Sequence, residues 1–187
     1  MKLNSLQELY TEQLRDLYDA ENQIIKALPE MIDAATSPDL KEALNEHLEV
    51  TKTQATRLEQ IFEGLSEKAK GETCKGMKGV IQEGSDLVDK IEDEDTRDAG
   101  IITAAQRVEH YEMAGYGTAR TFANLLGDNE AAQLLQQTLD EEKEADQKLT
   151  SLAEEINTSA EESERAQTTG TTGKRSTKKA TSRKRVA

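Results

Sequence analysis

The sequence predicts an all-α protein, a four-helix bundle of two helical hairpins with a short extra helix in the long connection between them. Three observations carry this. Apolar residues recur at steps of three and four through four long stretches. Only two prolines, Pro29 and Pro38, interrupt the 187 residues, so nearly all of the chain is free to be helical. Turn-forming residues mark two short junctions and one long one. At 35% hydrophobic content, with no Trp and two Phe, the chain is lean for a globular core. A bundle tolerates this, because each helix buries only one stripe.

Helix α1 is expected over about 5–34, with Leu14, Leu17, Tyr18, Ile24, Ile25 and Leu28 on one face. Asn4 or Ser5 can cap it, and Pro29 is expected to kink or break its last turns. In "TSPDL" (36–40) Ser37 is the cap of α2 and Pro38 its first helical residue. To about 65, α2 carries Leu44, Leu48, Thr51, Ala55, Leu58, Phe62 and Leu65 at alternating threes and fours. The Gly-punctuated segment 70–91, "KGETCKGMKGVIQEGSDLVDKI", is read as a short helix, α3, inside the connection. Helix α4 is expected over roughly 95–126, "GDNE" turns, and α5 runs from about 129 to 158.

Charge divides the chain. From Ala166 onward there are seven Lys/Arg and no acid, while the whole chain has a net charge of −13, so the remainder carries −20. The basic end, with Gly, Thr and Ser between its clusters, cannot offset its ordering entropy by burial. The expected organisation is a bundle over 1–160 and a disordered basic tail over 161–187. Such a tail can make weak, sequence-independent contact with nucleic acid, or lie on its own acidic body. The start "MKLNSLQELYTEQL" lacks the apolar core of a signal peptide, and no run of about 18 apolar residues exists. A single cysteine, Cys74, excludes an internal disulfide framework and is read as a small apolar residue. These features point to a cytoplasmic protein with no membrane span. A core this lean also predicts association with a second copy, a homodimer.

The chemistry begins at 107–120, "RVEHYEMAGYGTAR". As a helix it aligns Ala105, Glu109, Glu112, Tyr116 and Ala119 within about 80°, so two glutamates occupy the stripe that should be apolar. Glu21 shares its stripe with Leu14, Tyr18, Ile25 and Leu28. Glu142 and Asp146 sit between Leu135, Leu139 and Leu149. Counted from the hairpin turns, Glu21 is 15 residues before position 36, Glu112 is 16 before 128 and Glu142 is 14 after it. These three should share a level, with Glu109 and Asp146 one turn deeper and His47 one turn nearer the loop. Five carboxylates in one layer cannot all ionise without a compensating cation. A pair of divalent metals, iron ahead of manganese, supplies it. The candidate ligands are Glu21, His47, Glu109, Glu112, Glu142 and Asp146. Tyr18, Tyr111 and Tyr116 are read as packing residues.

Two hairpins joined by a long connection make the ferritin-like variant of the bundle. A shift of 91 residues lays 44–58 on 135–149, matches the turn at 36–38 to that at 127–129, and places Glu21 on Glu112. Glu21 and Glu112 are therefore the bridging candidates, with Glu109, Glu142, Asp146 and His47 terminal.

The chain also resembles the YciF-type ferritin-like family of bacterial stress-associated proteins. The segments "ELYTEQLRDLYDAENQIIKALPEM", "LNEHLEVTKTQATRLEQIFE", "CKGMKGVIQEG", "AAQRVEHYEMAGYGTAR" and "TLDEEKEADQKLTSLAE" carry the resemblance in order over about 3–157. It implies a ferritin-like bundle, a homodimer and a dinuclear metal centre. The wider superfamily uses Glu, Glu-x-x-His, Glu, Glu-x-x-His. Here Leu44 stands three before His47 and Ala145 three after Glu142, so Glu109 and Asp146 must complete the ligand count.

Two functions follow. One is a dimetal protein reacting with O₂ or peroxide, the metals about 3.5–4 Å apart. The other is a structural or stress-protective dimer with a vestigial site, whose basic tail contacts nucleic acid. Mineral storage is a distant third, needing a closed shell. Hydrolysis lacks support: there is no nucleophile elbow or phosphate loop, and the chain has only two histidines. No catalytic residue is assigned.

Overall fold

Each helix begins where a short side chain can accept a free amide. Ser5 Oγ accepts from the Glu8 amide at 3.1 Å and Ser37 Oγ from the Leu40 amide at 3.3 Å. Asp93 Oδ1 accepts from the Thr96 amide at 2.9 Å and Asp128 Oδ1 from the Ala131 amide at 3.1 Å. Each removes one of the orphan donors of a first turn. The structure, a computed structural model, describes residues 3–70 and 72–172, with side chains described as far as Arg165. Among the described residues the regular elements are all helices: α1 Leu6–Ala34, α2 Pro38–Gly64, α3 Lys75–Val88, α4 Glu94–Leu126 and α5 Asn129–Thr172.

Two expected features change. Helix α1 continues through Pro29; that proline is exposed, where water can serve the carbonyl it leaves without a donor. Helix α5 runs to Thr172 rather than about 158. Ile156 is still buried, Ser163 Oγ donates to Asp95 Oδ2 at 2.5 Å, and Arg165 pairs with Glu161 at 2.6 Å. Contacts with α4 and an i,i+4 pair thus carry the helix beyond its apolar periodicity. The expected change from bundle to tail at 160/161 falls inside α5, and 173–187 lies outside the described residues.

Helices α1 and α2 pack as one hairpin and α4 and α5 as the other, while α1 against α4 and α2 against α5 close the ring. Helix α3 lies outside, against α4 and α1. A Cβ on Gly84 would come within 2.8 Å of the Ala104 Cβ, so this glycine of the connection is a contact point on a helix face. Cys74, fully buried, anchors the start of α3: its amide donates to Asp19 Oδ2 at 2.8 Å, and its Sγ lies 3.1 Å from the Tyr111 hydroxyl.

The core has two halves. One gathers Leu14 and Leu17 from early α1, Leu58 and Phe62 from late α2, Tyr116 from late α4 and Leu135 from early α5. The other gathers Ile24 and Leu28 from late α1, Leu44 from early α2, Ile101 from early α4 and Leu149 from late α5. The α1–α2 turn and the α4–α5 turn therefore lie at opposite ends, and the connection containing α3 spans the bundle's length. Asp98 confirms the pairing of ends: near the start of α4, it accepts from the Thr36 amide (2.8 Å), the Thr36 hydroxyl (2.7 Å) and the Ser37 amide (2.7 Å).

Candidate metal centre

Between the two core halves the stripes turn acidic. Glu21, Glu112 and Glu142 are fully buried and Glu109 is 2% exposed. One ligand atom from each of His47, Glu109, Glu112 and Glu142 can be chosen so that all four lie within 4.8 Å of one another. His47 Nε2 stands 3.3 Å from Glu109 Oε1. Opposed turns explain this contact: one turn farther from the α4–α5 turn and one turn nearer the α1–α2 turn are the same level. Counting depth alone separated His47 from Glu109; the direction of the hairpins brings them together.

Glu21 joins the layer from α1. Its Oε1 accepts a short hydrogen bond from the Tyr116 hydroxyl, and Oε2 has no partner. Asp146 does not join the four: half-buried, it accepts from Gln106 Nε2 at 3.2 Å and lies 3.4 Å from His110 Nε2. Both oxygens of Glu112, both of Glu142, Oε2 of Glu109 and Nε2 of His47 are buried without a hydrogen-bond partner. So many buried acceptors with nothing donating to them is costly in a protein interior.

The electrostatics express the same strain. Burial, then the neighbouring Glu142 carboxylate, hold Glu21 and Glu109 well above the usual carboxylate range. Burial, then Glu21, do the same to Glu112. Burial pushes Glu142 up to about 7, against the pull of Arg57, and lowers His47 to about 4. The neutral imidazole is the form that coordinates a metal. Ligand atoms around one ion at about 2.1 Å stand roughly 3–4.2 Å apart; the His47–Glu109 separation of 3.3 Å falls in that range, and the four atoms together lie within 4.8 Å. The donor set of carboxylates and one imidazole suits a divalent cation.

Two residues absent from the expected site border it. Gln54, fully buried, donates through Nε2 to Glu141 Oε2 at 3.3 Å and leaves its own Oε1 without a partner. Arg57 forks onto Glu141 at 2.5 and 2.7 Å and reaches Thr138 Oγ1 at 3.2 Å. The steps 47, 51, 54, 58 along α2 were the available signal for Gln54. Arg57 lies off that line, and its pairing partner comes from a helix 84 residues away.

Comparison with known proteins places this geometry among relatives. Residues 5–161 match the model of a domain of unknown function, DUF892. Protein YciF of Escherichia coli K12 is 42% identical over 154 residues, covering 82% of this chain and 93% of YciF. The crystal structure of that stress protein superposes with a TM-score of 0.80 at 39% identity, over 83% of this chain and 99% of its own. YcfI of Rhodopseudomonas palustris gives a TM-score of 0.78 at 42% identity, over 80% and 95%. A protein of Xanthomonas campestris pv. campestris, 23% identical with a TM-score of 0.72 over 86% and 99%, shares the fold.

Proposed function

Because the chain belongs to the DUF892 family, with YciF among its relatives, we propose that it is a stress-associated ferritin-like protein whose buried carboxylate layer holds two divalent transition-metal ions, iron ahead of manganese. One observation carries the reading: the layer contains buried carboxylate oxygens from three helices that nothing among the described residues satisfies. Ionised, they repel; protonated, each has a single O–H to give, as between Glu109 and Glu142 or His47, and the remaining oxygens stay unsatisfied. A cation answers both problems.

Glu109, Glu112 and Glu142, with His47, would hold the ions, and Glu21 would complete the layer from α1; Glu21 and Glu112 occupy matching positions in the pseudo-repeat. Tyr116 fixes the orientation of Glu21 through its hydroxyl. Arg57, paired with Glu141, keeps a fixed positive charge beside the carboxylates. A redox-active metal pair would supply electrons to O₂ or peroxide. Aliphatic side chains of the two core halves flank the site on either side along the bundle. Homodimer formation belongs to the same proposal. Leu3, Leu6, Leu125 and Leu126 are exposed and belong to the start of α1 and the end of α4, at one end of the bundle, where a second copy can cover them.

A second reading is favoured by the structural role suggested for YcfI and by the presence of one histidine among the four clustered residues. In it the site is vestigial and the dimer and basic tail do the work. Metal analysis of protein purified without chelator separates the two. About two ions per chain, with a loss of metal in Glu112→Ala, supports the first. A metal-free wild type that takes up neither Fe²⁺ nor Mn²⁺ overturns it and leaves the second.

A further inference from the structure

The half of the bundle between the carboxylate layer and the α1–α2 turn contains a cavity of about 310 Å³. Small side chains leave it open: Ala27, Ala43, Ala104, Ala105 and Ala145, together with Gly84, stand among the aliphatic residues of its wall. Its inner end is formed by His47 and Glu109, the two members of the metal cluster that reach this space. Glu109 is 2% exposed, and its Oε2 is buried without a partner, as is His47 Nε2. The space is therefore a greasy chamber with unsatisfied polar atoms at one end, the usual build of a small-molecule site.

We propose that this cavity binds a neutral apolar organic molecule, with its reactive or polar end toward His47 and Glu109. Size sets the scale. A cavity of about 150 Å³ lined by aliphatic and aromatic side chains holds one benzene, so twice that volume suits a two-ring or comparably compact hydrocarbon skeleton. Charge sets the class. At the cavity's polar edge Lys148 already pairs with Glu46, and the nearby Arg57 pairs with Glu141. Glu144 adds a further carboxylate. Among the described residues there, an anionic headgroup would meet acids and no spare cation. As a binding site the chamber stands on its own geometry; as the substrate site of the metal centre it rests on the function proposed above.

The test uses metal-free full-length protein, so that it does not depend on activity. Naphthalene is titrated while methyl NMR signals are followed, with 2-naphthoate as the anionic counterpart. Naphthalene is expected to shift the methyl signals of Leu28, Leu44, Ile101 and Leu149 and to leave Leu14, Leu58 and Leu135 in the other core half unmoved. Ala105→Phe, which places a ring in the chamber, should abolish those shifts, and 2-naphthoate should bind at least tenfold more weakly. Ala27→Leu serves the same purpose should the first variant fail to fold. No shift with naphthalene, shifts spread equally over both core halves, or shifts that survive the filling substitution would overturn the proposal, and equal binding of the anion would overturn its charge assignment. Metal uptake is measured separately on the same samples. A protein that binds naphthalene but no metal refutes the proposed function and retains the chamber, whereas the reverse refutes the chamber alone.

Discussion

At the residue scale, the carboxylates of Glu21, Glu109, Glu112 and Glu142 make the stability of the metal-free protein depend on pH in an unusual direction. Their folded pKa values are raised, Glu142 to about 7 and the others well above the usual range. As pH rises from the ordinary glutamate value through these raised values, the folded state holds protons that the unfolded state has already lost. Stability is then fully present at low pH and falls with rising pH, by about 1.4 kcal/mol per pH unit for each carboxyl still protonated in the fold and ionised outside it. His47 works oppositely. Lowered to about 4, it contributes stability above the unfolded value of about 6.5 that is lost as pH falls toward 4. Between pH 6.5 and 8 the several carboxylates outweigh His47, whose unfolded imidazole gives up its remaining half proton across that window. The chelated protein should therefore lose thermal midpoint steadily across that window, while saturating Mn²⁺ should flatten the curve. A midpoint in chelator that rises or stays level from pH 6.5 to 8 would show that these carboxylates are not held protonated.

At the element scale, the bundle is held in register by side chains that bind one helix to the end of another. Asp98 is the strongest case: 2% exposed, it satisfies two amides and a hydroxyl of the α1–α2 turn from α4. Asp98→Ala leaves the amides of Thr36 and Ser37 without these acceptors and should cost about 3 kcal/mol in urea unfolding, since hydrogen bonds to a charged group are worth about 1.5–3 kcal/mol each and do not add fully. A loss below about 0.5 kcal/mol would mean that water replaces the carboxylate. This tie also marks where sequence reasoning stops. The caps at Ser5 and Ser37, the α2 stripe and the inward Glu109, Glu112 and Tyr116 were legible, because they depend on local spacing. The inward placement of Glu21 and Glu142 was equally readable from their apolar neighbours. Asp98, Gln54 and Arg57 were not, since their partners lie on other helices. The level of His47 needed the relative direction of two hairpins, which residue counting within each cannot supply. Helix α5 outran its expected end because the Ser163–Asp95 contact with α4 and the Glu161–Arg165 pair, rather than apolar periodicity, support it past 158.

At the scale of the whole molecule, charge is the property that separates the bundle from its C-terminal extension. The chain carries a net charge of −13, and removing 173–187 takes away seven Lys/Arg and no acid, which leaves −20. No described helix is long and apolar enough to cross a membrane. Two polyanions can attract these bases: the acidic bundle itself and nucleic acid. The bundle's repulsion of DNA is screened within about 8 Å at physiological salt, so it does not by itself cancel the attraction of seven bases that follow α5 in the sequence. Each phosphate neutralised steepens the salt dependence by about 0.9 in the logarithmic slope. Nothing aromatic accompanies the bases from 173 to 187, so stacking cannot add sequence preference. Cutting after Thr172 spares the described length of α5 and removes all seven charges together. In a gel-shift titration with duplex DNA, the full chain is expected to retard DNA at 50 mM salt and to lose that retardation steeply by 200 mM, independently of sequence, while the truncated chain retards none. Equal and negligible retardation by both chains would remove the nucleic-acid reading and leave the basic segment solvated or docked on the acidic bundle.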